Sequence, residues 1–194
     1  GSCQSSRVAV QAIVNSIPSA PSASDVSRCG AGSVTLTATS STTVNWYSSS
    51  SGGTQLGTGL TFNTPSISST TTYYAEANNG CASSRTAVDA IINSVPAVPS
   101  APAVSRCGAG TVNLVATSSE QCFWYSAASG GTLLFTGLSF TTPNITSTTT
   151  YYVETGNSCR SNRIAVQAII TTQPASPSVT DGSRCGTGTV NLSA

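Results

Sequence analysis

The 194 residues contain seven Arg but no Lys, His or Met, and six acidic side chains leave a net charge of +1. Only 7% of residues are charged, against about 25% in an ordinary soluble domain. So sparse a charge gives no field for nucleic acid or anionic lipid, and the missing His and Lys remove the commonest general base, the commonest zinc ligand and Schiff-base chemistry. Catalysis is therefore not expected.

The opening residues 1–20 carry one alternating apolar run, Val8-Ala9-Val10-Gln11-Ala12-Ile13, just after Cys3 and Arg7. The period of two predicts a strand, and such a strand could also complete a domain in another molecule. The segment Asn15-Ser16-Ile17-Pro18-Ser19-Ala20-Pro21 follows. Spaced prolines and no glycine make it an extended, semi-rigid linker.

From there the apolar alternation places strands near 24–28, 33–39, 43–48, 54–57, 60–64, 71–77 and 85–93. Breakers separate them: Gly30-Ala31-Gly32, Ser51-Gly52-Gly53, Gly57-Thr58-Gly59, Pro65 and Asn78-Asn79-Gly80. The inward positions are Val34, Leu36, Ala38, Val44, Trp46, Leu60, Phe62, Ile67, Tyr73, Ala75, Val88, Ala90 and Ile92. One tyrosine of Tyr73-Tyr74 is expected to hydrogen-bond upstream backbone, as at a tyrosine corner. No helix is expected.

The pattern then repeats without insertion. Ser27-Arg28-Cys29-Gly30-Ala31-Gly32 returns as Ser105-Arg106-Cys107-Gly108-Ala109-Gly110 and again as Ser183-Arg184-Cys185-Gly186-Thr187-Gly188, each 78 residues on. Cys3, Cys81 and Cys159 keep the same step, as do Pro18/Pro21, Pro96/Pro99 and Pro174/Pro177. Residues 21–98 and 99–176 thus form two whole repeats, with the end of a preceding repeat in 1–20 and the start of a following one in 177–194. A period this long suits a unit that buries its own core. Seven short strands in each point to an all-β fold, tandem immunoglobulin-like β-sandwich domains of about 78 residues.

Seven cysteines suggest an oxidising compartment. Cys3, Cys29, Cys81, Cys107, Cys159 and Cys185 belong to the two periodic families and are read as disulfide cysteines; Cys122 replaces Val44 and is read as a buried free thiol. Periodicity leaves Cys29–Cys81, Cys81–Cys107 and Cys29–Cys159 open. A sandwich places Cys29 and Cys81 at opposite ends, which weighs against the first unless the topology is shifted, while Cys29–Cys159 would cross a domain junction.

The six acids are scattered, and only Glu76 and Glu154 keep one repeat position. No paired-carboxylate site emerges, and Ala103 at the position of Asp25 breaks any calcium pattern. Arg85 and Arg163 recur in phase and are read as partners of Glu76 and Glu154 or of loop carbonyls, as are Arg28, Arg106 and Arg184. Tyr47 and Tyr125, beside the two tryptophans, should face outward, where an aromatic surface could stack on sugars.

The ordered motifs Arg-Cys-Gly-x-Gly-(Ser/Thr)-Val-x-Leu, Trp-Tyr-Ser, Gly-Gly-Thr, Gly-Leu-(Thr/Ser)-Phe-x-Thr-Pro, Thr-Thr-Thr-Tyr-Tyr and a cysteine loop before Arg-x-Ala-Val resemble bacterial Ig-like repeats of Bacteroidota surface proteins. The resemblance spans both full repeats and both partial ones. It implies long tandem arrays in exported, often type IX-secreted proteins, including gliding-motility adhesins and multidomain hydrolases. It therefore implies an extracellular or cell-surface stalk, with neighbouring repeats and surface polysaccharide as partners. No catalytic residue, metal site or cofactor comes with it, nor nucleic-acid binding or membrane insertion.

Overall fold

The computed structural model describes residues 1–193, and the chain divides into two compact units, Gly1–Val95 and Pro96–Ala194. The first contains β1 (Ser22–Ala23), β2 (Val26–Cys29), β3 (Thr35–Thr39), β4 (Thr43–Tyr47), β5 (Gln55–Thr58), β6 (Thr61–Asn63), β7 (Thr71–Asn78) and β8 (Thr86–Asn93). They form a small sheet, β1-β3-β6, and a larger one, β2-β8-β7-β4-β5. The alternation explains the division: β3 buries every second residue, Leu36 and Ala38, while its threonines face water.

The second unit contains β9 (Val104–Cys107), β10 (Asn113–Val115), β11 (Cys122–Tyr125), β12 (Leu133–Thr136), β13 (Ser139–Thr141), β14 (Thr149–Thr155) and β15 (Ile164–Thr171). Its sheets are β10-β13 and β12-β11-β14-β15-β9. The counterpart of β1 shrinks to a bridge in which Ser100 and Thr117 exchange backbone hydrogen bonds of 3.0 and 2.7 Å. No helix occurs among the described residues, so none is long and apolar enough to cross a membrane.

Each core is built around one tryptophan. Trp46 is fully buried and stacks on Phe62, which in turn meets Tyr73; Trp124, Phe140 and Tyr151 repeat the chain of rings. Indole N–H groups need a partner when buried. Trp46 Nε1 donates to the Gly59 carbonyl at 2.9 Å, and Trp124 Nε1 to the Gly137 carbonyl at 3.0 Å. Tyr73 and Tyr151 serve as core rings, and no hydrogen bond from their hydroxyls to upstream backbone occurs among the described residues.

Three expectations are corrected. The single first strand, 24–28, is two pieces: β1 pairs antiparallel with β3, and β2 crosses to the other sheet to pair parallel with β8. Alternation sets which residues point inward but not which sheet supplies the partner. Leu60 is 51% exposed in the turn between β5 and β6, held there because its carbonyl accepts from Ala38 N–H. Val8–Ile13, with the apolar pattern of β8, joins no sheet and stays exposed, because a strand pattern forms a strand only against a neighbour.

Candidate functional site

The densest polar cluster in each unit is assembled on the outer face of the larger sheet. Tyr47 ends β4 just after a bulge, Glu76 lies on β7 opposite Asn45, and Arg85 stands immediately before β8. Arg85 Nε donates to Glu76 Oε2 at 3.0 Å, and its Nη1 donates to the carbonyls of Ser49 and Gly52 at 2.6 and 2.7 Å. The guanidinium also lies 3.5 Å from the centroid of the Tyr47 ring, whose hydroxyl donates to Glu76 Oε1 at 3.3 Å. One side chain thus ties β7, the start of β8 and the β4–β5 loop together. Charge assistance and stacking on an aromatic face suit arginine for this and not lysine.

The second unit repeats the cluster. Arg163 reaches Glu154 Oε2 at 3.0 Å and the Ala127 and Gly130 carbonyls at 2.8 and 2.6 Å, over Tyr125 at 3.3 Å. Arg160 adds a second layer, 3.4 Å over the Phe123 ring and 4.0 Å from Glu154 Oε1. Its counterpart in the first unit is Ala82.

Tyr47 and Tyr125, the residues raised for sugar contact, alternate with the buried tryptophans on the outer face of the sheet. Both rings are half-buried, each has an arginine on one face, and each hydroxyl is engaged by a glutamate. Sequence spacing brought Arg and Glu into view as a pair; it did not bring the tyrosine in, because the β4 bulge that turns it toward Arg85 has no sequence signature.

At the other end of the sandwich Arg28 Nη1 donates to the Ser33 carbonyl at 2.8 Å, and Arg106 to Thr111 at 3.0 Å. These side chains fold across the Gly-Ala-Gly loop. At Gly32 an added Cβ would collide with the Arg28 guanidinium, and φ is +153°. Asp25 Oδ1 accepts the Asp89 N–H at 2.8 Å and anchors the entry to β2 on β8.

Two buried hydroxyls in each repeat were not anticipated. Thr64 Oγ1 accepts the Val34 N–H and donates to the Pro65 carbonyl, and Ser83 Oγ accepts the Ala77 N–H and donates to Ser84. Thr142 and Ser161 do the same in the second unit. Each satisfies backbone that leaves a ladder inside the core; their recurrence at the 78-residue step was the available signal.

Among the cysteines, Cys3, Cys81, Cys107 and Cys185, read from the sequence as disulfide residues, carry free thiols, and so does Cys122. Cys29 and Cys159 are each disulfide-bonded. Cys122 is fully buried on β11, and burial pushes its thiol above the ordinary value, with hydrogen bonds from Thr155 and Ser118 opposing the shift. A thiol held neutral in a core is inert packing, not a nucleophile.

Two facing sheets closed over a central tryptophan, with parallel first and last strands and a positioned Arg–Glu–Tyr cluster, define an immunoglobulin-like β-sandwich, here in tandem. The chain belongs to the family of Ig-like domains described as CHU_C associated, which matches residues 18–93 and 96–171. Fibronectin(III)-like modules of Clostridium thermocellum CbhA are similar at 15% identity and a TM-score of 0.46, over 77% of this chain and 90% of that one. Domains A168–A170 of titin give 15% identity and 0.46 over 77% and 62%, and extracellular domains 3–5 of Drosophila OTK give 16% and 0.44 over 77% and 60%. No protein of curated function matches the chain. Ig-like domains of this kind are typically non-catalytic, and the two tandem copies are consistent with a structural repeat module.

Proposed function

We propose that these repeats are a load-bearing spacer in a long exported, cell-surface adhesin, extending a functional domain carried elsewhere in the protein. One observation carries the reading. The first and last strands of the larger sheet, β2 and β8, run parallel in register, from Val26 opposite Ala90 to Cys29 opposite Asn93. The chain enters β2 at one end of this ladder and leaves β8 at the other. Tension along the chain therefore shears all the ladder bonds together instead of opening them one by one. The second unit places β9 against β15 in the same way, Val104 opposite Ala168 through Thr171 opposite Cys107. The load-bearing ladder is thus parallel in both units.

The Arg–Glu–Tyr cluster supports this role by fastening the β4–β5 loop to β7 and β8, so that the sheet next to the sheared ladder resists distortion. A spacer also needs little beyond a closed core and a surface of low charge, and the composition meets that need. Export, surface attachment and adhesion rest on the sequence resemblance.

Pulling the full chain by its ends in a single-molecule force instrument, with its disulfides reduced, tests the proposal. Two separate unfolding peaks of comparable height are expected, one per unit. Extension without resolved peaks would refute load bearing, and selective retention of a polysaccharide on a glycan array would move the reading to a binding module.

A further inference from the structure

We infer that the β7–β8 hairpin of the first unit is a self-modification site, at which Asn79 cyclises onto the Gly80 nitrogen and opens to aspartate or isoaspartate, with Asn78 as the latch that restrains the reaction.

Asn79-Gly80 is the chain's one Asn-Gly pair. It stands at the tip of the hairpin, where Asn78 and Ala82 bridge and leave Asn79, Gly80 and Cys81 outside the ladder. Both members of the pair are exposed, so water reaches them. Cyclisation requires the backbone nitrogen of the following residue to meet the side-chain carbonyl carbon, and a side chain on that residue obstructs the approach. Gly80 has none, and an atom built at its Cβ position would meet nothing nearer than Asn15 Nδ2, at 3.8 Å.

Two hydrogen bonds set the reactivity in opposite directions. Asn79 Oδ1 accepts the Cys81 N–H at 3.2 Å, which folds the side chain back along the Gly80 peptide in the turn that asparagine forms with backbone two residues on. This brings the reacting carbon and nitrogen into one short ring, and the same N–H is aimed at the oxygen on which charge develops as the carbon becomes tetrahedral. Against this, the Gly80 N–H donates to Asn78 Oδ1 at 2.8 Å. The nitrogen must lose that proton to attack, and an acceptor bound to the N–H holds it in place. Cys81 therefore promotes the reaction and Asn78 restrains it.

The same hairpin in the second unit reads Gly156-Asn157-Ser158. A serine side chain there screens the nitrogen, and Asn157 Nδ2 donates to Glu120 Oε2 at 3.4 Å, a carboxylate that would repel a new one. The modification is thus confined to the first unit.

In the first step the bond from Gly80 N to Asn79 Cγ forms while the N–H proton passes to water. The bond from Cγ to Nδ2 breaks, and the amide nitrogen takes up a proton and leaves as ammonia. Water then opens the cyclic imide, at Cγ to give aspartate or at the main-chain carbonyl of residue 79 to give isoaspartate, in which the chain runs through Cβ and Cγ. One water is consumed, one ammonia is released and no electrons are transferred. The added carboxylate cancels the net charge of +1. It also removes the amide that donates to the Ser16 carbonyl at 3.2 Å, so the segment ahead of β1 loses that tie to the hairpin.

The test follows the full chain in mildly alkaline buffer, sampled over weeks, then reduced, alkylated and cut with trypsin and a glutamate-specific protease. This places Asn79 in peptide 77–85 and Asn157 in 155–160. Fragment spectra that separate aspartate from isoaspartate locate the change, with a sample digested at the outset as the baseline. Peptide 77–85 should gain the mass difference between a hydroxyl and an amino group at Asn79, in both product forms, while 155–160 stays unchanged. Asn78→Ala should convert about fivefold faster, the factor given by loss of one net hydrogen bond, and Asn78→Asp, which retains an acceptor, should not accelerate. In urea the parent and Asn78→Ala should convert at one rate, because the latch exists only in the fold. No conversion at Asn79 in the folded Asn78→Ala chain, or conversion at Asn157 as fast as at Asn79, overturns the site. Equal rates for the folded parent and Asn78→Ala overturn the latch.

Discussion

Arg85 and Glu76 form a 3.0 Å ion pair in which both side chains are only 11% exposed, and Arg163 and Glu154 form the same pair at 3.0 Å in the second unit. A pair so far out of water is costly to break from one side, because the remaining charge loses its partner without regaining solvent. Arg85→Ala should destabilise the first unit by about 3 kcal/mol and leave the second unchanged. Urea unfolding followed separately at Trp46 and Trp124, using Trp→Phe backgrounds, reads the two units. Arg85→Lys should recover only part of the loss, since an ammonium cannot span Glu76, two loop carbonyls and the Tyr47 face together.

The ladder between β2 and β8 has a side-chain reinforcement that its counterpart lacks. Asp25 accepts the Asp89 N–H, while the aligned residue in the second unit is Ala103. Asp25→Ala should lower the stability of the first unit by roughly 1 kcal/mol, the scale of one net hydrogen bond. It should also lower the force at which that unit yields. An unchanged force peak would show that the entry to β2 does not carry load.

Alkaline pH should separate the units. Burial raises the Tyr73 and Tyr151 phenols above 10.0 and the Cys122 thiol above 9.0. Each group binds its proton more tightly folded than unfolded, so the stability it contributes is fully present below the unfolded value and is lost as pH rises toward the folded one. The second unit should therefore weaken from about pH 9 and the first only from about pH 10, both starting from the unfolded values. Denaturant midpoints across pH 8 to 11 check this, and Cys122→Val, which installs the residue found at Val44, should remove the earlier onset.

Two glycines with left-handed backbone should respond differently to alanine. Gly52 has φ +58° with open space around an added Cβ, whereas at Gly156 that atom meets the Cys159 carbonyl and the Pro96 ring. Gly52→Ala should cost about 1 kcal/mol from conformation alone. Gly156→Ala should cost several times more, because backbone must move and the Gly156–Arg160 bridge opens. Thermal unfolding of the full chain, with near-ultraviolet circular dichroism to confirm that the core survives, compares the two.

Much of the architecture was legible in local sequence. Leu36 and Ala38 share the inward face of β3, and Val44 and Trp46 that of β4, because side chains alternate along a strand, and the 78-residue recurrence of Arg-Cys-Gly shows that the unit is repeated. Leu60 marks the limit. Its spacing fits the core, yet the turn after Gly59 carries it into solvent because its carbonyl is held by Ala38.

What the sequence determined by itself is therefore the class, the repeat and the inward residues, since these follow from period and composition. Only the tertiary structure decided that the first strand divides between sheets, that β2 runs parallel to β8 and that Arg85 covers Tyr47. Each of these joins residues far apart in the chain. Nothing in a local pattern records which distant strand will satisfy an edge, because the backbone groups that choose the partner are the same at every residue.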